Sequence, residues 1–239
     1  FRNLRPVELK QEARHIHGKK FPLSIGIKEA KYELLLLTDA DCKPAGNKWI
    51  ERMQDVFSNG KEIALGYGAY NKKPGLLNKF IRFETFLSAL QYFSYALAGM
   101  PYMGVGRNLA YRKELFFRNK GFSLHNKLAG GDDDLFINRV ATKTNTAIVL
   151  DADAFTYSDA KTSWSTWRSQ KERHYSTGRY YKASHKFLLG LFSFSHFLFY
   201  PLLAASIFFF NWWITLCVFG VRFLLQGLIY FRTMNKLKE

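Results

Sequence analysis

From Phe187 to Phe210 the chain runs for 24 residues, FLLGLFSFSHFLFYPLLAASIFFF, without one Asp, Glu, Lys or Arg. As a helix rising ~1.5 Å per residue, this run is about 36 Å long, enough to cross a hydrocarbon core of ~30 Å and longer than an ordinary core helix. After Asn211, Trp212 and Trp213 a second apolar run, ITLCVFGVRFLLQGLIYF, reaches Phe231 and is interrupted by Arg222 and Gln226. An arginine at membrane depth costs about 2.5–3.5 kcal/mol on insertion scales and calls for a partner or a polar cavity. Lys161, Arg168, Lys171, Arg173, Arg179, Lys182 and Lys186 precede the pair and Arg232, Lys236 and Lys238 follow it, whereas the connection carries no cation. The positive-inside rule then puts both ends in the cytosol and the tryptophans at the far interface. The expected organisation is a cytosolic domain over 1–185, a transmembrane hairpin over 186–232 and a cytosolic tail over 233–239, in an inner or plasma membrane. The alternative is a helical hairpin buried inside a soluble protein.

The 48% hydrophobic and 17% aromatic content of the 239 residues supports a packed core and excludes a disordered chain. With 35 Lys+Arg against 19 Asp+Glu, the net charge of +16 calls for a polyanionic neighbour. Nucleic acid, an anionic membrane surface and phosphate-bearing substrates all qualify. No nucleic-acid motif accompanies the charge and the apolar run argues against one, so no nucleic-acid partner is expected. Cys42 and Cys217 are too few for a disulfide framework or a cysteine-rich metal site, and no Asn-x-Ser/Thr sequon occurs, which fits a reducing, cytosol-facing domain. The opening stretch FRNLRPVELKQEARHIHGKK begins with Phe rather than Met and lacks the apolar core of a signal peptide, so the chain is expected to continue a longer protein.

A further segment, residues 76–99, repeats Phe83, Phe86, Leu87, Leu90, Phe93 and Leu97 at helical spacing with Lys79, Arg82 and Glu84 among them. Such a helix can lie in the membrane interface or pack on the domain core.

YELLLLTDADCKP places two aspartates, Asp39 and Asp41, straight after four leucines. A short apolar run bounded by turn residues reads as a strand buried on both faces, of the kind found in parallel α/β sheets, which bind ligands beyond their carboxyl ends. If the strand continues through Ala40, both carboxylates point the same way and a cation would relieve their repulsion. Mg²⁺ or Mn²⁺ suits oxygen donors, and Mg²⁺ is often held by one or two carboxylates plus substrate phosphates. The alternative is that the pair caps a turn or a helix beginning near Lys48. GGDDDLF, at 130–136, sets three aspartates before a helix-compatible LFINRV, and a cap accounts for one or two of them. Crowding raises at least one carboxylate pKa, and such a group can act as a general base. In SWSTWRSQKERHYSTGRYY, Gln170, Arg173 and His174 lie within about one helical turn, a set suited to a diphosphate or to anionic lipid. GVGRNLAYRKELF has Leu109 at the third glycine position of a dinucleotide fingerprint, so its glycines instead permit a close turn before a helix starting near Arg112.

In this order TDAD, GVGRNLAYRKELF, GGDDDLF and QKERH, ahead of membrane helices, resemble the processive-type inverting family 2 glycosyltransferases, the cellulose- and hyaluronan-synthase-like superfamily, from about Gly18 to Phe231. The resemblance implies a GT-A, Rossmann-like α/β domain followed by C-terminal transmembrane helices. It implies a metal-dependent enzyme moving sugar from a nucleoside diphosphate donor, a UDP-sugar or GDP-sugar, to a glycan or lipid acceptor at the cytosolic membrane face. By the resemblance Asp41 is the direct Mg²⁺ or Mn²⁺ ligand, Asp39 a metal or nucleotide contact, Asp132 the catalytic base with Asp133 as the fallback, and Gln170, Arg173 and His174 contacts to the diphosphate and acceptor. Two positions depart from the pattern: Gly131 stands where the family has an acidic residue, and His174 where it has Trp. The family's opening strand and base contacts have no counterpart in the chain as given. The alternative outside enzymes is a non-catalytic basic adaptor that binds anionic membrane lipids.

Overall fold

The computed structural model describes residues 5–9, 18–128, 130–209 and 211–239, and divides into two compact units, Phe1–Tyr181 and Lys182–Glu239. Phe210, the last residue of the first apolar run, lies outside the described residues.

The first unit is mixed α/β. Helix α1 (Lys20–Glu29) leads to β1 (Leu34–Leu37), then to β2 (Lys43–Pro44), α2 (Trp49–Asp55), β3 (Ile63–Leu65), β4 (Gly68–Tyr70) and the long α3 (Leu76–Leu97). β5 (Leu109–Arg112) and α4 (Lys113–Arg118) follow, then α5 (Asp134–Val140), β6 (Thr146–Ile148), β7 (Thr156–Ser158) and α6 (Trp164–Gly178). A four-stranded sheet runs in the order β1-β5-β3-β6 and a three-stranded one in the order β2-β7-β4. β5 pairs antiparallel with both β1 and β3, while β3 with β6 and β4 with β7 are parallel.

β1 therefore corrects the expectation of a strand buried on both faces in a parallel sheet. It ends the described sheet, its only partner there is antiparallel, and of its four leucines only Leu35 is buried. The central strands are the buried ones: Ile63, Ala64 and Leu65 are at most 1% exposed. Met53 and Phe57 pack on Ala64, Ala110 and Val149 on one side of this layer. Tyr111, Phe116, Phe122 and Phe136 form an aromatic cluster, with centroids 5.1 Å apart for Tyr111 and Phe136 and 4.9 Å for Phe116 and Phe122.

The Tyr111 hydroxyl is buried with no hydrogen-bond partner among the described residues. Such a group forfeits its hydration, so Tyr111→Phe is expected to raise stability by about 1 kcal/mol, read as a higher denaturant midpoint at unchanged slope.

Helix α3 turns Ile81, Phe86, Ala89, Tyr92 and Phe93 into the core and leaves Leu76, Phe80, Phe83 and Leu97 exposed. Core packing thus accounts for one face of this helix, and its other face carries apolar surface.

The second unit consists of α7 (Ala183–Phe209) and α8 (Trp212–Leu237). Both are long and apolar enough to cross a membrane, and 0% and 6% of their most apolar windows are buried in the protein, unlike a hairpin in a soluble core. Pro201 sits inside α7, where it removes one backbone donor. α8 continues past the expected end at 232, so most of the tail over 233–239 is helical.

Candidate functional site

The chain leaves β1 at Leu37 and turns at once. The amide of Cys42 donates to the Asp39 carbonyl at 3.0 Å, closing a turn over 39–42. Strand geometry does not continue through Ala40, so alternation does not place Asp39 and Asp41 on one face. Neither carboxylate caps α2, whose N-terminal position at Lys48 has no side-chain cap. Asp39 is half-buried and its carboxylate accepts from Lys19 Nζ at 2.5 Å, whereas Asp41 is exposed beside Cys42.

Asp39 and Lys19 line a cavity of about 520 Å³ together with Thr38, Gly106, Asp132 and Asp133. Two motifs far apart in sequence, TDAD and GGDDD, thus meet at one wall, and Asp41 is not part of that wall.

The three aspartates take three different positions. Asp133 stands at the N-cap of α5: one oxygen accepts from the Asp134 amide at 2.8 Å and the other from the Gly106 amide at 2.6 Å. That second bond is a close approach: a Cβ on Gly106 would lie 3.1 Å from the same Asp133 oxygen and push it back by a few tenths of an ångström. Asp134 points into protein, accepting from Thr177 Oγ1 at 2.5 Å and Tyr181 Oη at 2.9 Å. Asp132 alone of the three lines the cavity without a hydrogen bond from another described residue. Helix capping therefore accounts for Asp133, tertiary hydrogen bonding for Asp134, and neither for Asp132.

Burial and then the neighbouring Asp133 charge raise the pKa of Asp132 above its ordinary value, against the pull of Lys19 and Lys20. Asp133 and Asp134 are raised as well, first by desolvation. Burial opposes the Lys19 ammonium, but Asp39 and then Asp132 and Asp133 outweigh it and raise its pKa.

Lys20 lies behind this wall with no exposed surface. Its ammonium donates to the Leu128 carbonyl at 2.5 Å and to that of Gly130, holding the strand of chain that delivers Asp132. Gly131 follows at φ +89°, and a Cβ there would meet Leu135 Cδ1 at 2.4 Å. A side chain at position 131 would thus meet Leu135 and hold a backbone conformation that L residues rarely adopt. Gly131→Ala is expected to destabilise by about 1–3 kcal/mol and to displace Asp132, as checked by denaturant unfolding beside an activity assay.

Helix α6 completes the surroundings with one face. Gln170, His174 and Thr177 recur at i, i+4 and i+7, and Tyr181 continues the series just beyond the helix. Gln170 Nε2 reaches Tyr70 Oη at 3.5 Å, and the Tyr70 ring lies under the Arg107 guanidinium at 4.1 Å. The His174 pKa is held down to about 4, first by desolvation and then by Lys171, Arg173, Arg107 and Lys19. The residue retains exposed surface, which argues for a smaller desolvation share and the same direction. A neutral imidazole thus stands among four cations. Arg173 is exposed on the adjoining stripe, and its guanidinium has no hydrogen bond among the described residues.

The residues that sequence reasoning missed are Lys19, Lys20, Gly106, Thr177 and Tyr181. For the last two a signal existed, since they share the helical face of Gln170 and His174. For Lys20 and Gly106 none did, because their roles depend on contacts across a hundred residues and across 27.

A divalent cation can be tested against the donor set. Among the described residues no three His, Cys, Asp or Glu side chains converge on one point. A cationic group already sits on Asp39, the Lys19 ammonium. One or two carboxylates completed by phosphate oxygens and water are the set that Mg²⁺ takes in nucleotide sites; of the pair, Asp39 stands at the cavity wall with Lys19 on it, and Asp41 lies on the adjoining turn outside that wall.

Neither a protein-family model nor a curated protein matches this chain.

Proposed function

We propose that the chain is a membrane-anchored inverting glycosyltransferase with a GT-A-type domain, which transfers a sugar from a nucleoside diphosphate donor to a glycan or lipid hydroxyl at the cytosolic face. The observation that carries this reading is Asp132: a half-buried carboxylate with a raised pKa, at the wall of the same cavity as Asp39 and without a hydrogen bond from another of the described residues.

In the proposed reaction Asp132 takes the proton of the acceptor hydroxyl as that oxygen attacks the anomeric carbon. The bond from that carbon to the diphosphate oxygen breaks, the nucleoside diphosphate leaves with the electron pair, and the anomeric centre inverts. Mg²⁺ or Mn²⁺ held by Asp39 and Asp41 would supply neutralisation of the leaving charge. Lys19 lies at the cavity wall beside Asp39, where its ammonium can pair with phosphate oxygens. Arg173 and Gln170 offer further donors, and neutral His174 can accept or donate a hydrogen bond without adding charge.

A direct test is transfer from radiolabelled UDP-sugars and GDP-sugars by the full-length protein in native membranes. The expected result is product formation that chelation by EDTA abolishes and added Mn²⁺ or Mg²⁺ restores. Turnover unaffected by chelation would remove the metal from the proposal.

A further inference from the structure

Arg222 lies midway along α8. It is ten residues from Trp212 and ten from Arg232, about 15 Å from each at ~1.5 Å per residue, which is the middle of a ~30 Å hydrocarbon core. Its guanidinium packs over the Phe199 ring at 3.6 Å and bonds from Nη2 to His196 Nδ1 at 3.2 Å. With the Tyr200 ring at 5.8 Å as well, those contacts use ring faces and one of five donors, and among the described residues no carboxylate pairs with the positive charge.

Within 182–239 the only acidic side chain is Glu239, fifteen or more residues along α8 from Arg222, beyond reach of its guanidinium. Beside this group the hairpin has an open groove of about 430 Å³, lined by Phe199, Leu202, Ser206, Thr215 and Val218. Phe199 borders both the groove and the cation. The Ser206 and Thr215 hydroxyls bond to each other at 3.1 Å across α7 and α8 at the floor of this groove.

We infer that this face of the hairpin docks a transmembrane helix that carries a carboxylate at midplane depth, with apolar side chains filling the groove and the carboxylate pairing with Arg222. Charge selects the occupant. A second copy of the hairpin brings another arginine and no carboxylate, so like charges would meet. Lipid phosphates lie about 15 Å away, beyond the reach of an arginine side chain held against Phe199. The inference is independent of the reaction proposed for the first unit.

The test uses the full chain, fluorescently labelled and reconstituted in phosphatidylcholine bilayers, with synthetic Leu/Ala transmembrane peptides that carry Glu, Gln or Leu at the central position. Energy transfer reports association. The central-Glu peptide is expected to bind about tenfold tighter than the central-Leu peptide, with Gln between them. The preference should vanish in Arg222→Leu, survive in Arg222→Lys, and fall when Glu is moved two turns toward a peptide end. Equal binding of the Glu and Leu peptides to the unsubstituted chain would overturn the inference, and so would a preference that persists in Arg222→Leu. Self-association of the chain that the central-Glu peptide fails to displace would assign the face to a second copy and also overturn it.

Discussion

Asp132→Asn is expected to lower sugar transfer by about 10²–10⁴-fold while leaving the protein folded and more resistant to heat at neutral pH. The loss follows from removing the proposed base without altering its volume. The gain in stability follows from the sign of the pKa shift. Asp132 is raised above its ordinary value of 3.8, so between that value and its native one the folded state binds the proton more tightly than the unfolded state. That contribution is fully present below the ordinary carboxylate range and is lost as pH rises through the native pKa. At neutral pH the native protein therefore holds an ionised group that its site disfavours, and Asn removes this penalty. The advantage in melting temperature should shrink as the buffer is taken down toward pH 4. A purely structural Asp132 predicts the reverse, a destabilised variant whose activity falls only with the folded fraction.

Asn108→Ala is expected to destabilise the first unit by about 3–5 kcal/mol, read from urea unfolding of the purified protein. Asn108 has no exposed surface and joins three parts of the chain. Its amide donates to the Tyr67 carbonyl at 2.9 Å and the Ala154 carbonyl at 2.7 Å, and its oxygen accepts from Trp49 Nε1 at 3.0 Å. Truncation leaves the Ala154 carbonyl and the half-buried Trp49 indole without this partner and the Tyr67 carbonyl with the Thr156 amide alone, and it opens a cavity besides, each unpaired buried group costing about 1–3 kcal/mol. Folded domains are stable by only about 5–15 kcal/mol, so this single change removes a large share. Asn108→Asp is expected to be nearly as damaging, because it keeps the acceptor and loses both donors.

The parts of this protein that sequence makes legible are those in which a property repeats within a short window. The charge-free run after Lys186 is helical, as its composition requires, and so is the Leu135-to-Val140 stretch behind the aspartates. β3, β4 and β7 have three residues each, too few to display a period, and they are defined by partners far away, such as Gly68 opposite Thr156. The four leucines of β1 look like a central strand but lie at the end of the described sheet, and apolar content alone does not distinguish the two.

At the site the same division holds. The acidic motifs are visible as clusters, yet their division of labour depends on the Gly106 amide, the Thr177 and Tyr181 hydroxyls and the Lys20 ammonium, all brought in by tertiary contact. In TDAD four residues leave both an extended backbone and a turn open, and the bond from the Cys42 amide to the Asp39 carbonyl decides for the turn.

A nucleoside diphosphate site at the cavity shared by Asp39 and Asp132 is tested by calorimetric binding of UDP and GDP to the solubilised full-length protein, with and without Mn²⁺. The account predicts Mn²⁺-dependent binding of one of the two nucleotides, weakened at least tenfold by Asp39→Asn or Asp41→Asn and retained in Asp132→Asn, whose role comes after donor binding. Failure of the folded full-length protein to bind either nucleotide would contradict such a site and shift weight to a basic adaptor on anionic lipid.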